Sequence, residues 1–127
     1  MTRAVAIALK IPDNTAFTAA VALRRLGVGV ERVERSEILL FDDGGDVPAL
    51  IERITADETI FNPNKHRVTV LDEAVPRSGE VWIERLEGGV AVAWRLFARN
   101  DAAVDRETLR DAVEGLLCNP AIERAVY

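Results

Sequence analysis

His66 is the only histidine in the chain, and histidine is the residue type that most readily serves as acid or base near neutrality. It stands in the run Asn62-Pro63-Asn64-Lys65-His66-Arg67, where it could move a proton or touch a phosphate. The polar surroundings favour a plainer reading, a solvated loop histidine. Cys118 is the only cysteine, so an internal disulfide is impossible. A nucleophilic thiol needs an adjacent base. Cys118 sits instead in an apolar, helix-like pattern and reads as a small buried hydrophobe. Asp42, Asp43 and Asp46 surround Gly44-Gly45 without the spacing of a calcium loop or its distal glutamate. A turn followed by a helix cap explains them. Gly44-Gly45 and Gly88-Gly89 lack the strand–glycine–helix phosphate fingerprint.

Trp82 and Trp94 fall on two runs that read as the strands of one hairpin. Paired aromatics can stack a base, but an RNA-binding sheet surrounds them with cations, and Glu84 follows Trp82. The expectation is therefore core or interface anchors, with Arg85, Arg95 and Arg99 as a polar rim. No catalytic residue, metal ligand or cofactor contact is assigned.

Those residues need elements to hold them. Ala4 to Leu9 reads as a buried strand that Pro12 prevents from continuing. Asp13, Asn14 and Thr15 can each cap the helix that follows from Ala16 to Leu26. Phe17, Ala20, Val21, Leu23 and Leu26 are expected on its inner face, and Gly27 ends it. A second strand covers Val33 to Phe41. Asp46 then caps a helix from Val47 to Thr55, with Pro48 tolerated in its first turn and Leu50, Ile51 and Ile54 facing inward. Arg67 to Leu71 forms a third strand, and Asp72 to Gly79 a linker. Glu80–Leu86 and Val90–Arg99 make a hairpin about Glu87-Gly88-Gly89. Asp105 caps a last helix with Leu109, Ala112, Val113, Leu116 and Leu117 on its core stripe. Asn119-Pro120 ends it before a strand from Ala121 to Tyr127.

The order is β-α-β-α-β, a linker, then β-β-α-β. The fold class is α+β: a two-layer, ferredoxin-like sandwich with a mostly antiparallel sheet and helices on one face. With 127 residues, half of them apolar, the chain suits a single domain. A net charge of −5 argues against nucleic acid, whose phosphates demand cations. No run is long and apolar enough to span a membrane, and no signal peptide is apparent, so a cytoplasmic location is expected.

The two halves echo each other. An apolar helix leads to Asn62-Pro63, then Arg67, Val68 and Val70; another leads to Asn119-Pro120, then Arg124 and Val126. The spacing from Asn to Arg is the same in both. The chain is accordingly read as one domain with an internal duplication: residues 1–72 as a first unit, and 80–127 as a partial second whose hairpin replaces the first helix.

The stretch Leu116-Leu117-Cys118-Asn119-Pro120-Ala121-Ile122-Glu123 resembles the C-terminal signature of PurS, the small subunit of phosphoribosylformylglycinamidine synthase. Ala8-Leu9-Lys10, then the helix ending Ala22-Leu23-Arg24-Arg25-Leu26-Gly27, then a strand after Val33, follow the order of that subunit. Two family features are replaced. Asp13-Asn14-Thr15-Ala16 stands where the family has Asp-Pro-Gln-Gly, and Glu34-Arg35-Ser36-Glu37 where it has Arg-x-Gly-Lys. The resemblance implies a non-catalytic subunit of purine biosynthesis that bridges a glutaminase and an ATP-dependent synthetase. It also implies a homo-oligomer, unless the second half fills the partner's place. Trp82, Trp94, Arg95, Asn119 and Pro120 are the interface candidates. The alternative is an ACT-like regulatory domain binding a small molecule near Gly44-Gly45.

Overall fold

A computed structural model describes residues 2–42 and 45–127. Among these, six strands form one open antiparallel sheet: β1 (Thr2–Leu9), β2 (Arg32–Asp42), β3 (His66–Val70), β4 (Glu80–Arg85), β5 (Ala91–Phe97) and β6 (Glu123–Val126). Three α-helices accompany them: α1 (Asn14–Arg25), α2 (Val47–Thr55) and α3 (Arg106–Ala112). The strand order across the sheet is β3-β1-β2-β5-β4-β6. The α+β class, the element order and the antiparallel sheet agree with the sequence reading. A ferredoxin-like order is not followed throughout, because β1 and β2 are joined by a helix yet lie side by side and antiparallel.

Side-chain alternation divides the sheet into two unlike faces. Val5, Ile7, Val33, Val81, Ile83 and Leu96 point to one face, where all three helices pack. There α1 contributes Ala16, Ala20 and Leu23, and α3 contributes Leu109 and Ala112. Leu50 and Ile54 of α2 cover Val5 and Ile7 at the other end. The opposite face carries Ala4, Ala6, Ile38, Trp82 and Ala93, buried without a helix over them. The connection 71–79 crosses that face, leading from β3 at one edge to β4 on the far side of β5. Leu71 packs with the alanines and Trp82, and Arg77 stands over the sheet beside Glu80.

Local chemistry explains the element ends. Asp13, Asp46 and Asp105 each accept a hydrogen bond from the backbone N–H three residues on, at 3.1, 3.0 and 2.7 Å, satisfying an otherwise free donor. Of the three possible caps before α1, Asp13 is the one used, and it also pairs with Arg35 at 3.4 Å. Gly27 ends α1 with φ +84°. Gly79 has φ +70°, and a Cβ there would lie 2.9 Å from the Leu96 carbonyl oxygen and 3.0 Å from Ala103 Cβ. Only glycine lets the crossing segment meet the sheet at that point.

Four apolar residues expected inside lie outside. Phe17 is 68 % exposed, Leu26 58 % and Leu116 44 %, and Ile51 is also exposed. In α1, Ala16, Ala19, Ala20 and Leu23 are buried, so the inner face is built from small residues and is rotated from the expected stripe. Close approach to the sheet requires that smallness. After Ala112 the third helix loosens into a π-helical turn, Val113–Leu117. The wider turn shifts the helical phase and moves Leu116 off the core stripe while Leu117 stays buried.

Candidate functional site

The interface candidates do not converge. Trp94 pairs with Val81 across the hairpin, and Trp82 with Ala93, so the two indoles point to opposite faces. They cannot stack one ligand between them. Trp82 is 5 % exposed, and its Nε1 donates to Glu80 Oε1 at 3.2 Å. It is a core anchor of its own chain, the first of the two roles expected of it. Arg95 shares the face of Trp82, lies 5.2 Å from the Phe97 ring centre and reaches the Ser78 carbonyl at 3.5 Å. Arg85 pairs with Glu87 at 3.4 Å, and Arg99 begins a short 3₁₀ turn beyond β5, so the expected arginines do not form a rim; the arginine against Trp94 is Arg35, 5.9 Å from its ring centre.

Trp94 remains half-buried on the helix side. It forms the floor of a groove between α1 and the π-helical turn, about 460 Å³ in volume. Ala19, Ala22, Leu116 and Leu117 make its walls, and Thr15 and Thr18 line its mouth. Leu26 lies against the same π-helical turn, its Cδ1 3.5 Å from the position a Cβ on Gly115 would take. The groove is apolar with a thin polar border, which suits an inserted apolar side chain better than a charged metabolite. Periodicity assigned Leu26 and Leu116 to the core, so sequence reasoning missed this surface. The π-helical turn behind it has no simple signal in residue type.

Asn119 and Pro120 are exposed and build a junction rather than a contact surface. Asn119 Oδ1 accepts from Ala121 N at 3.1 Å, and its carbonyl accepts from Ile122 N at 3.1 Å and Glu123 N at 2.8 Å. Its own N–H donates to Glu123 Oε1 at 2.9 Å. The first junction repeats every step. Asn62 Oδ1 accepts from Asn64 N at 2.9 Å, its carbonyl from Lys65 N at 2.9 Å and His66 N at 2.8 Å, and its N–H donates to His66 Nδ1 at 3.0 Å. His66 is thus not the free loop histidine expected from sequence. It opens β3, packs beside Phe61 and does locally what Glu123 does at the start of β6.

The remaining chemical candidates stand apart. Cys118 follows the third helix, at the opposite edge of the sheet from His66. It packs against the helix-side core, where burial first and then the Glu123 carboxylate push its thiol above the usual range. That environment disfavours the thiolate a nucleophile needs. Asp46 is engaged as a cap. Asp43 and Gly44, and with them the centre of the acidic turn and of the proposed ACT-like site, lie outside the described residues. Among the described residues, no three His, Cys, Asp or Glu side chains gather as metal ligands. No helix among the described residues is long and apolar enough to cross a membrane.

No protein-family model matches the chain, and neither a curated protein nor a solved structure matches it.

Proposed function

We propose that the chain is a non-catalytic interaction subunit of the PurS kind, contacting a synthetase and a glutaminase subunit in purine biosynthesis. The observation that carries this reading is the Trp94 groove, with Leu116 in its wall exposed to solvent. An exposed leucine in the wall of an apolar groove gains by being covered, and a protein side chain is the natural cover. The repeated junction supports the family reading, since the stretch Leu116–Glu123 that resembles PurS has its construction mirrored at Asn62–His66.

Co-purification from the native host tests the assembly role. The expected result is that a synthetase and a glutaminase subunit elute with the chain, and that Leu116→Glu releases them. Elution of the unaltered chain alone would overturn the reading. The antiparallel β2–β5 pair joins the two halves as two protomers would join, which supports a particle of one 14.0 kDa chain in isolation. A light-scattering mass of twice that value would show instead that the second half does not fill the partner's place.

A further inference from the structure

The face of the sheet away from the helices carries a second concavity, about 380 Å³, between the crossing segment and β3. Its floor is small: Ala6 and Ala8 of β1 and Ser36 of β2, with Thr69 of β3 beside them. Four arginines line it, Arg35, Arg67, Arg77 and Arg95, and of these Arg35 is paired with Asp13. In a chain of net charge −5, such a gathering is against the average.

Two carboxylates, Glu34 and Glu80, line the concavity as well, and Glu80 neutralises one of its arginines, Arg77. Glu80 accepts from Arg77 Nη2 at 2.8 Å and Nε at 3.3 Å, from the Arg77 backbone N–H at 2.9 Å, and from Trp82. Glu34 lies 3.0 Å from Arg32 Nη1 and only 3.9 Å from Arg67 Nη2. Arg95 donates to the Ser78 carbonyl at 3.5 Å and lies 5.2 Å from the Phe97 ring centre. The donors of Arg67 and Arg95 are thus less fully matched than those of Arg77, whose fork is held by Glu80.

The other half of the molecule shows what such an arginine takes when an acceptor is supplied. Arg124 stands five residues after Asn119, as Arg67 does after Asn62. Arg124 pairs in register with Glu84 and donates to its Oε2 from Nη2 at 2.8 Å and Nε at 3.2 Å. Arg67 pairs in register with Ala8. The place that the Glu84 carboxylate fills in the second half is open in the first.

We propose that this concavity binds the phosphoryl group of a small phosphorylated ligand. Arginine forks match the oxygens of such a group in geometry as well as charge. With Arg77 held by Glu80, the guanidinium groups of Arg67 and Arg95 and the Ser36 and Thr69 hydroxyls still offer more donors than a carboxylate accepts, whereas a phosphoryl group brings three acceptor oxygens. The volume leaves room for a small organic body beside it. The site lies on the opposite face from the Trp94 groove and does not depend on the assembly reading.

Titration calorimetry of the full chain with inorganic phosphate and with glycerol phosphate tests this, with succinate as the comparison anion. Saturable binding of the two phosphates is expected. It should weaken about tenfold or more in Arg67→Gln and in Arg95→Gln, the effect of removing one charged hydrogen-bonding partner. Ala8→Glu should abolish it by supplying an internal carboxylate. The proposal is overturned by no binding up to roughly 10 mM phosphate, an affinity of only a few kcal/mol. Equal binding in the folded arginine variants, or succinate binding as tightly as phosphate, overturns it as well. If the arginine variants fail to fold, amide shifts in the unaltered chain decide: phosphate must move Ser36 and Thr69, and shifts confined elsewhere reject the site. Loss of partner co-elution with phosphate binding intact would sink only the assembly role.

Discussion

The two halves of the sheet are alike on one face and unlike on the other. If the Asn-Pro junctions are superposed, β1 corresponds to β4, β2 to β5 and β3 to β6, about the central β2–β5 pair. Val5 and Ile7 then match Val81 and Ile83 on the helix-covered face. On the other face, Ala4, Ala6 and Ala8 stand where Glu80, Trp82 and Glu84 stand in the second half. In each half, a helix joins two strands that run parallel with a third between them: β2-α2-β3 around β1, and β5-α3-β6 around β4. The helix side preserves residue type because helices bury it in both halves. The other side differs because each half closes it differently: the second with its own large side chains, the first by leaving space for the crossing segment and the arginine-bordered concavity.

This comparison is broken most severely at Trp82. Trp82→Ala should cost about 3–5 kcal/mol, the usual loss when a large buried aromatic leaves a cavity, measured by urea denaturation. A loss below about 1 kcal/mol, the level of a surface change, would mean that the second half does not depend on its large side chains.

Glu80 comes next. Burial opposes its ionisation, but the hydrogen bonds and charge of Arg77, with the bond from Trp82, outweigh that and hold its carboxyl below the usual range. The folded value is therefore below the unfolded one, so the stabilisation is present above the unfolded pKa and is lost as pH falls through the folded one. The unfolding free energy should decline as pH drops below about 4.5, the ordinary glutamate value. Glu80→Ala should remove about 2–4 kcal/mol at neutral pH, since it strands Arg77 and the Trp82 N–H. It should also flatten that part of the acid limb. An acid limb unchanged by the substitution would show that Glu80 does not hold the crossing segment.

The junctions sharpen the likeness. Asn62→Ala and Asn119→Ala each remove one side-chain acceptor from the same turn and should each cost about 1 kcal/mol. Thermal melts differing by more than about that amount between the two variants would argue that the turns are not equivalent. The smallest effect on stability is expected of Ala8→Glu. It recreates beside Arg67 the pair that Glu84 makes with Arg124, an exposed ion pair worth about 0–1 kcal/mol. A large destabilisation would show that Ala8 is packed rather than open.

Much of the fold was legible locally. The three aspartate caps, Gly27, the hairpin about Gly88-Gly89 and the two Asn-Pro breaks rest on short-range backbone chemistry, and each acts where its residue type stands. The bounds of α2, Val47–Thr55, follow from Asp46 and Pro48 in the same way. The helix faces were less legible. Periodicity counts apolar residues, but α1 turns its alanines to the sheet and leaves Phe17 and Leu26 outside, because approach distance rather than hydrophobicity sets that choice.

The sequence by itself determined the order of elements, their caps and breaks, and the repeat of Asn, Pro and Arg, because each depends on neighbours a few residues away. Only the tertiary structure decided that Trp82 and Trp94 face opposite ways, since strand register sets which residues share a face. It likewise decided that Arg67, Arg77 and Arg95 line one concavity with Ala8, because they come from three elements that only the sheet order brings together.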